Sequence, residues 1–140
     1  MQDKKPKQGT VTLPKLGAAF KQCWSQETSY NPRTWPPINH SSGGQCVVTS
    51  LVVQDFFGGR ILKGYTEILE PLEVYPIPHF HCWNLLSNGR EVDLTKSQFP
   101  KDAVFIKTGT ENRKSLLSRK QTRMSYHLLK SRIRKFLNKN

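Results

Sequence analysis

The sequence predicts an α+β domain, on three observations. Apolar residues recur at helical spacing near residue 20, after residue 46 and again over the last thirty residues. Two apolar runs, His79–Leu86 and Arg90–Leu94, flank Asn88-Gly89, the sequence pattern of an antiparallel hairpin. A Ser/Gly turn at 41–44 leads directly into a helical stretch with a cysteine at its first position, Cys46. The expected architecture is a cysteine-bearing helix packed on a small antiparallel sheet, followed by C-terminal helices.

In chain order, residues 1–10 read as a disordered basic lead, and 11–140 as a single domain. Leu16, Ala19, Phe20, Cys23 and Trp24 lie at i, i+3, i+4, i+7 and i+8, one face of a short helix whose first turn suits Pro14. Ser25–Ser42 is proline-bearing and aperiodic, long enough to suggest a ligand-facing loop, and it contains Trp35. Val47, Leu51, Val52 and Phe56 predict the buried face of the cysteine helix, with Gly44 or Gln45 at its N-cap and Gly58-Gly59 at its end. Arg60–Lys63 reads as a short strand, and Gly64–Pro78 as a loop with at most one strand. From Thr110 the pattern turns helical, with Glu111–Leu117 and Thr122–Leu137 as the basic C-terminal helices of 110–138. Tyr126, Leu129, Ile133, Phe136 and Leu137 form the apolar stripe of the last one.

Composition limits the function classes. The net charge is +12, and it is uneven: residues 1–100 carry ten Lys/Arg against eight Asp/Glu, residues 101–140 twelve against two. Such an asymmetry suits an anionic partner, nucleic acid among others, and Lys130, Arg134 and Lys135 lie off the apolar stripe where they would contact it. Three cysteines, none in a CxxC pair, argue against a disulfide framework and suit a cytoplasmic protein, with signal-independent export left open. No apolar run reaches the length of a transmembrane segment. The Cys and His spacings match no structural zinc pattern, so neither metal nor cofactor is expected.

A cysteine in the first turn of a helix meets unpaired backbone N–H groups and the positive end of the helix dipole, both of which favour a thiolate. The hairpin supplies a base for it. With Ser87-Asn88-Gly89 as a three-residue loop, Trp83 faces Asp93 and His81 faces Thr95, so Asp93 lies diagonal to His81 on one sheet face. A two-residue Asn-Gly turn would instead point Asp93 away. In the first register Cys46 is a nucleophile, His81 its base and Asp93 the group that orients the imidazole. The Cys46 N–H, with Gln45 or Trp35, would face an oxyanion, and Trp83 would shield the imidazole. Cys82 points away from His81 by strand alternation and reads as core.

Gly44-Gln45-Cys46, His81-Cys82-Trp83-Asn84 and Asp93-Leu94-Thr95 resemble the GQC, HxWN and DxT motifs of transglutaminase-like, papain-related cysteine enzymes. Residues 42–59 and 81–99 are similar, more closely, to the YunG-like family of small uncharacterised bacterial proteins, loosely so over 24–129. The resemblance implies a papain-like core and a Cys46–His81–Asp93 site, without naming a reaction. Only 34 residues separate Cys46 from His81, which implies that the calcium sites and extra domains of large transglutaminases are absent. Two functions follow: a cysteine-dependent acyl-transfer enzyme acting on a protein, peptide or other amide through a thioester, or a catalytically idle binding module whose basic helix holds an anionic partner.

Overall fold

A computed structural model of the chain describes residues 11–29, 44–66, 79–96 and 103–139. The lead at 1–10, Trp35 with most of its loop, and the segment 67–78 lie outside the described residues. Helix α1, Leu13–Cys23, starts at Thr12, whose side chain accepts from the Lys15 N–H, and it buries Leu16, Ala19, Phe20 and Cys23 as the spacing predicts. A 3₁₀ turn at Gln26–Thr28 follows. Helix α2, Cys46–Phe57, has Gln45 at its N-cap and ends at Gly58 (φ 71°).

Strands β1 (Arg60–Thr66), β2 (His79–Leu85), β3 (Glu91–Val92) and β4 (Phe105–Glu111) form one antiparallel sheet in the order β3-β2-β1-β4. Helices α3 (Arg113–Ser118) and α4 (Lys120–Lys139) close the described chain. Among the described residues the fold is therefore α+β, with four α-helices and a four-stranded antiparallel sheet. No helix among them is long and apolar enough to cross a membrane.

Three sequence expectations are corrected. The residues around Thr110 are strand: β4 runs to Glu111, pairs with β1, and only then does Asn112 cap α3 by accepting from the Ser115 N–H. Phe105, Ile106, Thr108 and Thr110 suit a strand, and the row of backbone groups that β1 leaves open claims the segment for the sheet. Strand β1 itself extends past Lys63 to Thr66. The buried side of α2 is also wider than a single face. Val48, Leu51, Val52 and Val53 are core, along with Thr49 and Ser50, whereas Val47 and Phe56 are only partly buried. The helix lies between the sheet on one side and α4 on the other, so it is enclosed nearly all round.

The core joins all the helical layers. Leu16, Phe20, Leu51, Val52, Leu129 and Ile133 are fully buried in one cluster with Ile61, Cys82 and Val92 from the sheet. Polar ties run through it. Trp24 Nε1 donates to Thr49 Oγ1 at 2.9 Å, linking α1 to α2, and Asn84 Nδ2 donates to the Ser50 carbonyl at 2.9 Å, linking β2 to α2. Each buried donor is satisfied, which makes these contacts specific as well as apolar.

Candidate active site

The hairpin loop decides where the acidic residue points. Leu86 N–H donates to the Arg90 carbonyl and Gly89 N–H to the Leu86 carbonyl, closing a three-residue loop, and β2 and β3 pair Asn84 with Val92. Gly89 sits at φ 87°, the left-handed position this loop requires and a side chain resists. Continued past β3, this register puts Asp93 opposite Trp83 and diagonal to His81. The imidazole reaches it: His81 Nε2 lies 2.6 Å from Asp93 Oδ2. The imidazole is completely buried and the carboxylate is 15% exposed. The other carboxylate oxygen accepts from the Thr95 N–H and hydroxyl, so the same aspartate also fixes the turn beyond β3.

Trp83 forms a wall on the imidazole. Its ring stacks on His81 at 5.7 Å, Phe105 of β4 approaches the imidazole from another side at 4.8 Å, and Trp83 Nε1 donates to Glu91. Gly64 on β1 makes room for this shelf. A Cβ there would lie 2.4 Å from the Ile106 carbonyl oxygen and 2.9 Å from the indole of Trp83. Trp83 is thus placed to exclude water from His81.

Cys46, half-buried in the first turn of α2, meets both His81 and Cys82. Adjacent strand residues point to opposite faces, so a shared contact needs a reason. Cys82 and Asn84 face α2, as their contacts to Ser50 show, while His81 and Trp83 lie on the other face. The Cys46 sulfur accepts from the backbone N–H of Cys82, which points sideways from the strand, between the faces. Cys46 thus interacts with both the Cys82 thiol and the His81 imidazole. Cys82 is therefore more than the core residue expected from alternation: it borders the candidate nucleophile.

The electrostatics follow from these contacts. The hydrogen bond from the Cys82 thiol holds the Cys46 thiol well below its ordinary range, opposed by burial and helped by the hydrogen bond and charge of His81. For His81, burial disfavours the imidazolium, but hydrogen bonds and charges from Asp93 and Cys46 outweigh it and raise the pKa to about 9. Cys82 is pushed up, first by the Cys46 thiolate it donates to and then by burial, so it stays a thiol. Both directions favour a thiolate beside an imidazolium. With Nε2 committed to Asp93, Nδ1 is the ring nitrogen available to the sulfur.

The Gln45 side chain is committed within the fold. Its carboxamide is fully buried, donates to the Ser25 carbonyl at 2.9 Å and accepts from Thr28 Oγ1 at 2.8 Å. This corrects the expectation that it faces an oxyanion. Because that side chain is turned towards the 3₁₀ turn, the N-cap position makes no side-chain cap on α2. The amides of the first turn remain the anion-facing groups.

The basic C-terminal residues divide. Lys130 Nζ is 2.9 Å from Asp55 and is spent on that ion pair, which corrects its expected place on an anion-binding face. Arg134 is half-buried and Lys135 is exposed. Arg113 and Arg132, which the sequence did not single out, are structural: Arg113 bonds Leu51, Gln54, Asp55 and Tyr126, and Arg132 bonds the Cys23 carbonyl and Ser25 Oγ.

Residues 12–138 match the YunG protein family. The chain belongs to the YunG family. Over 80 residues it is 39% identical to the "Uncharacterized protein YunG" of Bacillus subtilis (strain 168). That stretch is 57% of this chain and 56% of the relative, so the chain spans a little over half the length of the curated relative it matches. No solved structure matches it. Within this YunG chain, the supporting residues that sequence reasoning missed are Ser50, Phe105, Arg113 and Asp55. Ser50 and Asp55 sit four and nine places along from Cys46 in an apolar stretch, a spacing that could have placed them on α2 but not named their partners.

Proposed function

We propose that this YunG-family chain is a cysteine-dependent acyl-transfer enzyme with a papain-like core, in which Cys46 is the nucleophile, His81 the general acid and base, and Asp93 the residue that orients the imidazole. The observation that carries the reading is the alignment of a helix-start thiolate, a buried imidazole and a carboxylate 2.6 Å from its far nitrogen.

The chemistry follows in two halves. The Cys46 thiolate attacks the carbonyl carbon of an amide or ester; the new C–S bond forms and the carbonyl electrons move onto oxygen. The uncapped amides at the start of α2 face that oxyanion. As the intermediate collapses, the C–N or C–O bond breaks and the His81 imidazolium gives its proton to the leaving group. Neutral His81 then takes a proton from water or an acceptor amine, which attacks the thioester and releases Cys46. Water gives hydrolysis and an amine gives transfer. Asp93 keeps the ring oriented and balances the imidazolium throughout. Trp83 and Phe105 keep bulk water off the ring.

The basic-helix alternative is weakened by the commitment of Lys130 to Asp55 and of Arg113 and Arg132 to backbone carbonyls. The acyl-transfer reading is tested with a small activated ester and intact mass. Wild type should accumulate one acyl group, mapped to Cys46 and released by a thiol or amine. Cys46→Ala should take none, and His81→Ala should lose its acyl group to water at least 100-fold more slowly, the scale of a lost general base. Acylation equal in Cys46→Ala and wild type would overturn the assignment.

A further inference from the structure

The thiol beside the candidate nucleophile has no role in acyl transfer beyond donating a hydrogen bond. Cys46 and Ser50 lie one turn apart on the same side of α2, and both meet Cys82 of β2: the Ser50 hydroxyl donates to Cys82 Sγ at 3.7 Å, and the Cys82 thiol donates to the Cys46 sulfur. Asn84, next on the same strand face, bonds the Ser50 carbonyl at 2.9 Å and holds helix and strand in this register. Cys82 Sγ thus faces α2 one turn from Cys46, in a register fixed by the Ser50 and Asn84 contacts. Cys23, the remaining thiol, is buried on α1 and is not part of this cluster.

We propose that Cys46 and Cys82 form a peroxide-oxidisable dithiol site, in which oxidation of Cys46 is captured as an intramolecular Cys46–Cys82 disulfide. The co-reactant is a hydroperoxide. The Cys46 thiolate attacks one peroxide oxygen, the O–O bond breaks, and Cys46 becomes a sulfenic acid while hydroxide (as water, once protonated) or an alcohol leaves; sulfur loses two electrons and the peroxide gains them. The Cys82 sulfur then attacks the Cys46 sulfur. The S–S bond forms, the S–O bond breaks, and the Cys82 proton leaves with the hydroxyl as water. The first step also prepares the second. While Cys46 is an anion it keeps Cys82 protonated; a neutral sulfenic acid removes that charge and frees the Cys82 thiol to ionise. The product ties up the nucleophile and shields it from irreversible oxidation, and a thiol reductant restores both cysteines.

Substrate is not needed for the test. The full chain is treated with a small excess of hydrogen peroxide, quenched, alkylated in denaturant and mapped by mass. The expected result is loss of two alkylatable thiols per chain, one peptide linking Cys46 to Cys82, an alkylatable Cys23, and complete reversal by dithiothreitol. In Cys82→Ser, Cys46 should instead give a dimedone-trapped sulfenic acid and then the irreversible sulfinic form. Wild type in which Cys82 stays alkylatable while Cys46 proceeds to sulfinic acid as fast as in Cys82→Ser would overturn the proposal. That result would leave acyl transfer standing if Cys46 still forms the ester adduct. A linked peptide without an ester adduct would sink the enzyme reading and keep the disulfide.

Discussion

The opposed pKa shifts of Cys46 and His81 have a consequence for stability. The folded pKa of His81, about 9, lies above its ordinary 6.5. Taken alone, the imidazole contributes stability that is complete below pH 6.5 and is lost as pH rises through 9. Cys46 has the opposite sign. Its depressed thiol contributes stability that is complete above its ordinary value of 9.0 and is lost as pH falls through its folded value. Between pH 6.5 and 9 the unfolded chain holds the proton on the thiol, and the native pair holds it on the imidazole. Proton counts match, so the two slopes cancel. Urea midpoints of wild type should stay nearly level across that window, whereas His81→Ala, which leaves the Cys46 thiol held down by the Cys82 hydrogen bond, should gain stability as pH rises. A wild-type slope of a whole proton, about 1.4 kcal/mol per pH unit, would show that the proton is not shared this way. The residue-scale chemistry was partly legible in the sequence. A cysteine at a helix start and a Gly at the third position of a hairpin loop are local signals, and the loop length alone fixed which way Asp93 points. The contact with Cys82 was not legible. Strand alternation assigned it to the far face, and only the sideways approach of the sulfur to the strand N–H brings it in.

At the scale of elements, α2 is held differently at its two ends. Its C-terminal turns are fastened by charge: Arg113 donates to the Leu51 carbonyl, Gln54 and Asp55, and Lys130 and Tyr126 also reach Asp55. A cation at a helix C-terminus also suits the dipole. The start of α2 is fastened by Gln45 to the 3₁₀ turn. Asp55 lies nine residues from Cys46, roughly 14 Å along the helix. Asp55→Ala, which strands Arg113 and Lys130, should cost about 2–4 kcal/mol in urea unfolding and leave the ionisation of Cys46 unchanged. A variant that unfolds as readily as wild type would show that the network carries no stability. One that keeps its fold but loses the low thiol pKa would show that the two ends are coupled. Helices α1 and α4 were legible from apolar spacing because each buries a single stripe. Helix α2 was legible as a helix but not in its burial, since an element enclosed on both sides has no polar face to reveal its orientation. Strand β4 was missed because its partner, β1, is about forty to fifty residues away and the pairing is interrupted by a bulge at Lys63/Gly64.

Across the whole molecule, the site is set by a chain of contacts that begins in the last helix. Ser125 Oγ and Arg132 of α4 bond the Glu27 carbonyl and Ser25 Oγ; the 25–28 turn bonds Gln45; Gln45 places Cys46; and β2 brings His81 and Cys82 to it. The concentration of positive charge in the last forty residues is thus in part internal fastening. Composition counted those residues but could not tell an arginine bonded within the fold from a solvated one. The α+β class was readable because helices and hairpin are local; the strand order β3-β2-β1-β4 was not, because it depends on pairings made at a distance. The central claim is that these elements assemble a thiolate–imidazolium pair. The measurement that tests it most directly is the pH dependence of Cys46 alkylation by iodoacetamide in wild type, His81→Ala and Asp93→Asn. A wild-type thiol that titrates well below its ordinary range, moving upward in His81→Ala and by a smaller step in Asp93→Asn, is the predicted result. A thiol titrating near its ordinary value in all three proteins would contradict it.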